Sequence, residues 1–166
     1  MIKLNRTTEY GLIALKHMSH KTENKDSSVT SAREISDRYS LPFEITAKTL
    51  LRMKDYGFIQ SEQGARGGYV LKRELAKLSL SEFLNFMEGP QGVVGCCGET
   101  KCEYENQCEI KDPMLTLNEK VQKFLATISI ADLMAPKTVS TSFILDLPVL
   151  NQVQTLNSNA TKENKV

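Results

Sequence analysis

Apolar positions near the start of the chain recur at helical spacing. Tyr10, Ile13, Ala14, His17 and Met18 share one face, widened by Leu12 and Leu15, which predicts a helix from about Thr7 to Ser19. Glu9 falls in its first turn, where a carboxylate interacts favourably with the helix dipole. His17 and His20 have no third ligand nearby in sequence and read as ordinary surface or boundary residues. Residues 21–28 are polar and unpatterned, a loop, and Val29 suits a short strand. Ser31-Ala32-Arg33-Glu34 is a capping box opening a helix that ends near Tyr39. Ser40-Leu41-Pro42 breaks and restarts the chain, and the next helix runs to about Tyr56 and stops at Gly57.

Past Gly57 the pattern changes. Residues 58–63 predict a strand, 64–68 a turn and 69–71 a return strand, with three glycines among the five turn residues to allow a tight reversal. Two helices joined by a short turn and followed by a hairpin describe a winged helix-turn-helix, mostly α with a small β wing. In that unit the second helix enters the major groove of double-stranded DNA. Glu44, Thr46, Ala47 and Lys48 in its first turns are therefore candidates for base edges. Arg52, four residues beyond Lys48 and on the same face, is a candidate for the DNA backbone. Arg66 and Gly67 at the hairpin tip could meet a phosphate or a narrow minor groove, or Arg66 is simply a solvated turn residue.

Ser79-Leu80-Ser81-Glu82 is a second capping box, opening a helix through Met87 that Gly89-Pro90 terminates. Asp112-Pro113 predicts the start of a long helix with a proline at its first position. Its apolar residues Met114, Leu117, Val121, Phe124 and Leu125 form one stripe. Such a stripe suits pairing with a copy of itself, and equally suits burial against the chain's own core. Ser129 to Asp132 suggests a short last helix up to Met134. Beyond Pro136 the chain is rich in Ser, Thr, Asn and Lys, with one apolar island at residues 143–150. This reads as a mobile tail.

A chain of 166 residues can hold one main core with a small appendage. No run approaches the roughly 18 apolar residues of a membrane span, and the N-terminus lacks a signal-peptide pattern. A cytoplasmic protein with no membrane partner is expected, in a compartment that keeps thiols reduced. Residues 1–75 carry 13 Lys and Arg against 9 Asp and Glu, while residues 76–166 carry 8 against 11. The basic half permits a polyanionic partner without demanding one.

All four cysteines lie within the 13 residues from Cys96 to Cys108, and Cys96, Cys102 and Cys108 have five residues between neighbours. Their polar, glycine-bearing surroundings predict a loop. In a reducing compartment such a cluster points to a metal or redox site, and thiolates are the usual ligands of iron–sulfur clusters. Structural zinc favours closer Cys-x2–4-Cys pairs, which the Cys97-x4-Cys102 gap barely meets. A metal-free thiol switch and a purely structural role also stay open. Cys97 is the surplus thiol, either spare ligand, oxidation partner or bystander. No Ser–His or Cys–His pairing and no phosphate-cradling loop supports an enzyme.

Taken together, these residues resemble the Rrf-type family of bacterial winged-helix regulators, with its IscR-, NsrR- and RirA-like iron–sulfur sensors. The carriers are Leu4 with Tyr10-Gly11-Leu12 and Ala14-Leu15, Leu50-Leu51-Arg52 with Gly57-Phe58-Ile59, the wing Gly64 with Gly67-Gly68-Tyr69-Val70-Leu71, the cysteine spacing, and Ile128 to Leu133. The resemblance implies a homodimeric transcriptional regulator, expected to be a repressor, on a roughly palindromic operator, sensing nitric oxide, redox state or cluster supply. It implies a DNA-binding domain over residues 1–89, a cluster loop over 90–112, a dimerisation helix and short last helix over 113–135, and a tail over 136–166. It also implies a 2Fe–2S or 4Fe–4S cluster on Cys96, Cys102 and Cys108. One branch of the family completes the site with a histidine three residues after the last cysteine. Lys111 stands there and is a poor ligand. Another branch uses an acidic residue from the start of the partner's first helix, and Glu9 holds that place. A metal-free thiol switch or a zinc-stabilised winged-helix regulator is the alternative.

Overall fold

Among the described residues four helix starts are closed by the side chain just before them, the last helix by Ser129, which accepts from the Asp132 amide at 3.0 Å. Asn5 accepts from the Thr8 amide at 2.8 Å, Ser31 from the Glu34 amide and Ser79 from the Glu82 amide, each satisfying a backbone donor that has no partner within its helix. In a computed structural model describing residues 4–24, 29–64, 67–90, 92 and 107–135, the caps at Asn5, Ser31 and Ser79 open α1 (Arg6–Glu23), α2 (Ala32–Tyr39) and α4 (Leu80–Glu88). The other helices are α3 (Phe43–Asp55), α5 (Lys111–Thr127) and α6 (Ile130–Met134). By contact the chain divides into residues 1–134 and 135–166. The second unit, holding the expected tail and its island, lies outside the described residues apart from Ala135.

The α2–turn–α3 unit and the hairpin stand where the pattern placed them. Ser40 takes the left-handed backbone at the inter-helix turn (φ 53°) and Gly57 does so just past α3 (φ 75°). Strands β1 (Ile59–Glu62) and β2 (Gly68–Leu71) pair antiparallel with Ile59 opposite Leu71 and Glu62 opposite Gly68. Thr30 adds a third, one-residue rung, exchanging two 2.8 Å backbone hydrogen bonds with Tyr69. Gly68 has no room for a side chain there. A Cβ would stand 2.6 Å from the Thr30 carbonyl oxygen.

α1 continues four residues past the expected Ser19. Lys21 in its last turn donates 2.8 Å hydrogen bonds to the Val29 carbonyl and to Glu34, so a tertiary partner extends a helix whose apolar face has ended. His17 also differs from expectation, because it is buried. Its Nε2 donates to Glu34 at 2.8 Å and its Nδ1 meets the Tyr39 hydroxyl at 3.3 Å. The ring thus ties α1 to both ends of α2. At the other end of the unit, α5 starts one residue ahead of the expected cap. Ile110 precedes it without a side-chain cap, and Pro113 sits inside its first turn, where a missing amide costs nothing.

Among the described residues the core is one cluster. Leu15 and Met18 of α1, Ile35 of α2, Leu50 and Met53 of α3, Phe58 and Ile59 before and in β1, Leu78, and Phe83 and Met87 of α4 are fully buried in it. Ile130 of α6 joins them at 0% exposure. Its amide donates to the Leu78 carbonyl at 2.8 Å, and the Leu80 amide donates to Ile128 at 2.7 Å. After α5 the chain therefore returns to the core beside α4's own start.

Two outcomes follow for stability. Gly68→Ala should cost about 1–3 kcal/mol in urea unfolding, since the clash is with backbone that cannot turn aside. Burial raises the Glu34 pKa, but hydrogen bonds from Lys21 and His17, with the Lys21 charge, outweigh it and hold the carboxyl below its ordinary 4.5. A depressed folded-state pKa contributes stability that is present above 4.5 and lost as pH falls through the folded value. Glu34→Gln should flatten acid unfolding in that window. The effect should be modest, because water reaches 36% of the side chain.

Candidate nucleic-acid interface and cysteine stretch

α3 buries Thr46, Thr49, Leu50 and Met53, and the opposite face points to solvent. At its centre lie Glu44, Lys48, Leu51 and Asp55, all exposed, with Ala47 and Arg52 half-buried on the flanks. Glu44, Ala47 and Lys48 thus stand on the outward surface that a groove-reading helix needs. Thr46 does not. It is 1% exposed, and its hydroxyl donates back to the Pro42 carbonyl at 2.9 Å, the same oxygen that accepts from its amide. Arg52 donates from Nη2 to the Phe86 carbonyl at 3.1 Å and lies over the Tyr56 ring at 5.6 Å. Its charge is drawn towards α4 and away from the helix's outer face.

Two outward residues escape sequence reasoning. Arg33 of α2 is exposed, with its guanidinium 4.4 Å from the centre of the Phe43 ring at the start of α3. The stack orients a cation beside the first turn, and only a long-range contact reveals it. Leu51 is 49% exposed. Its signal was present, three residues after Lys48 and seven after Glu44, off the buried stripe. At the hairpin, the Gly67 amide donates to the Gly64 carbonyl at 3.0 Å and closes the turn, while Arg66 lies outside the described residues.

Of the cysteines, Cys108 alone falls among the described residues, a free, half-buried thiol; Cys96, Cys97 and Cys102 lie outside them. The Cys108 carbonyl accepts from the Lys111 amide at 3.3 Å, which places this residue at the approach to α5. Among the described residues no three His, Cys, Asp or Glu side chains converge on a metal position. Glu9 sits in the first turn of α1, 42% exposed and 3.1 Å from exposed Arg6. An ion pair so open to water is worth little, so the carboxylate can turn to another ligand at small cost. A half-buried thiol and an accessible, exchangeable carboxylate are donors that suit an iron–sulfur group.

The start of α1 is tied to the end of α4, the helix that precedes the cysteine stretch in sequence. Glu88 is the last residue of α4, from which the stretch departs, and it accepts from the Asn5 amide at 2.9 Å. α5 follows the stretch. Ile110, Met114, Leu117, Val121, Phe124 and Ile128 recur along it at spacings of 4, 3, 4, 3 and 4, the seam of a left-handed coiled coil. Met114, Val121 and Leu125 are half-buried, and Ser81 of α4 donates to Gln122 at 3.1 Å. Leu117 and Phe124 stay exposed, at 41% and 43%, and no residue of α5 is buried. The stripe has not sunk into the chain's own core.

Among the described residues no helix is long and apolar enough to cross a membrane. A family model, Rrf2, described as an iron-dependent transcriptional regulator, matches residues 4–136. The transcriptional repressor NsrR of Streptomyces coelicolor is 23% identical over 137 residues, covering 82% of this chain and 91% of that protein. The structure of CymR, the global cysteine regulator of B. subtilis, matches with a TM-score of 0.63 at 22% identity, covering 81% of this chain and 97% of that one. T. potens IscR matches with a TM-score of 0.59 at 20% identity, over 80% and 86%. These two likenesses carry the winged-helix fold.

Proposed function

The chain belongs to the Rrf2 family of transcriptional regulators, winged-helix proteins and not enzymes, and from that footing we propose that it is a cytoplasmic, homodimeric repressor whose grip on a roughly palindromic operator depends on an iron–sulfur cluster. Cys96, Cys102, Cys108 and the partner subunit's Glu9 would hold the cluster, of the 2Fe–2S or 4Fe–4S type. Bound there, it would supply a centre reactive towards nitric oxide and oxygen, with the carboxylate as its exchangeable ligand.

The observation that carries this reading is the position of α4. Its last turn gives rise to the cysteine stretch, holds the Asn5 amide through Glu88, and receives the Arg52 guanidinium of α3 on the Phe86 carbonyl. Phe86 also packs on Tyr56 at 5.0 Å and on Phe58 at 5.5 Å. These contacts give a continuous packed path from the end of α4 to the DNA-reading helix, along which a change at the cysteine stretch would bear on it. The α5 seam favours a second copy of this chain as its cover. Two reading helices would then meet half-sites about 34 Å apart, so a small change in their separation weakens both contacts together. Cys97 remains the spare thiol.

Purified without oxygen, the protein should be brown, contain iron and acid-labile sulfide, and bleach with nitric oxide. Colourless protein with stoichiometric zinc would instead make it a zinc-stabilised regulator, and metal-free protein with reactive thiols would make it a thiol switch. Glu9→Ala should alter the absorbance spectrum while circular dichroism stays the same; an unchanged spectrum removes Glu9 from the ligand set. On DNA, Lys48→Ala and Arg66→Ala should each lower the slope of log affinity against log salt by about one unit. A slope that does not move would mean that side chain touches no phosphate.

A further inference from the structure

The outward row of α3 reads Glu44, Lys48, Leu51, Asp55, and three of the four are charged. Leu51 is the fourth. It is 49% exposed while Leu50 beside it is fully buried, so it cannot be explained as an overflow of the core. The Ala47 side chain, one turn earlier, adds a methyl group on the same face. Together they form a small apolar step in the middle of a charged surface.

What covers that step follows from its surroundings. Lys48 stands beside it on the same face, and Arg33 is held against Phe43 at the same helix's start. These cations draw a polyanion to the face and leave the apolar step against whatever lies at the floor of the groove. The major groove offers few apolar groups. Hydrogen-bond donors and acceptors fill the edges of all four base pairs, and the one methyl group belongs to thymine. A second copy of this chain has its own apolar seam on α5, with Leu117 and Phe124 exposed there.

The geometry points to Leu51, with Ala47, as a specificity-determining contact that reads the C5-methyl of thymine in each operator half-site. It rests on the DNA-reading role given to α3 and deepens it. Glu44 meets base edges and Lys48 bases or phosphates at the first two turns, and Leu51 selects a thymine under the next. Removing one buried methyl should weaken binding roughly fourfold.

The operator sequence itself comes out of the test. Full-length protein prepared without oxygen enriches duplexes from a randomised pool, and each thymine in the enriched half-site is replaced in turn by uracil, which pairs identically but lacks the methyl. At one or two thymines the replacement should weaken wild-type binding about fourfold. It should leave Leu51→Ser, already weaker, unaffected. Leu51→Ala, which keeps one methyl at the site, should show an intermediate penalty and guards against a folding defect in the serine variant. A half-site without thymine, uracil tolerated everywhere, or equal losses in wild type and variants would overturn the assignment. So would a Leu51→Ser protein that loses dimer mass in sedimentation while keeping its base preference. If no duplex is enriched, or Lys48→Ala leaves affinity and salt dependence untouched, the DNA-reading role of α3 falls as well. A normal Lys48 effect without a uracil effect strikes Leu51 alone.

Discussion

At Gly11 the first helix carries no side chain, and Phe83 of α4 comes within 3.0 Å of where a Cβ would stand, with Met53 of α3 and Met87 of α4 at 3.4 Å. Three helices close on that point. Without it α4 would stand off from α1, the Asn5–Glu88 hydrogen bond would open, and Arg52 would lose the Phe86 carbonyl. The same packing that buries Met53 and Leu50 turns Lys48 and Leu51 outwards, because the two sets lie on opposite faces of one helix. Close packing at a single glycine thus sets which face of α3 meets solvent. It also sets how closely α4 approaches α1.

The polar network around Glu34 does for α2 what Gly11 does for α4. His17, Lys21 and Tyr39 converge on it or on each other, joining the end of α1, both ends of α2 and, through the Val29 carbonyl, the segment that adds Thr30 to the wing. A largely buried histidine with both ring nitrogens engaged holds its helices in one register, since either partner lost would leave a polar atom unsatisfied. The two halves of the DNA-reading unit and its wing are therefore held by directional contacts as well as by apolar ones.

Local chemistry made much of this fold legible. The serine caps before α2 and α4, Gly57 after α3 and the glycines of the wing each act within a few residues of themselves, and their elements stand where they were expected. What stayed hidden depended on distant partners. Burial of His17 needed Glu34, the extra turn of α1 needed Val29, and the inward use of Arg52 needed Phe86. Thr46 departs from expectation for a local reason. A place in the first turns does not guarantee exposure, and helical phase turns this residue into the core. In the candidate site, residue type and spacing named the cysteines. Their mutual geometry is a three-dimensional matter, and only Cys108 lies among the described residues.

Ile130 has a bearing on how this chain is made. It is fully buried in the core shared by α1, α3 and α4, and its amide is held by Leu78. Synthesis runs from the N-terminus, so the helix-turn-helix, the wing and all four cysteines leave the ribosome before the residue that fills the last place in the core. Until Ile130 arrives, the core lacks the side chain that fills this place and the Leu78 carbonyl lacks this donor. The order of translation therefore presents the thiols to the cell while that place is still open, and the native core closes only behind them.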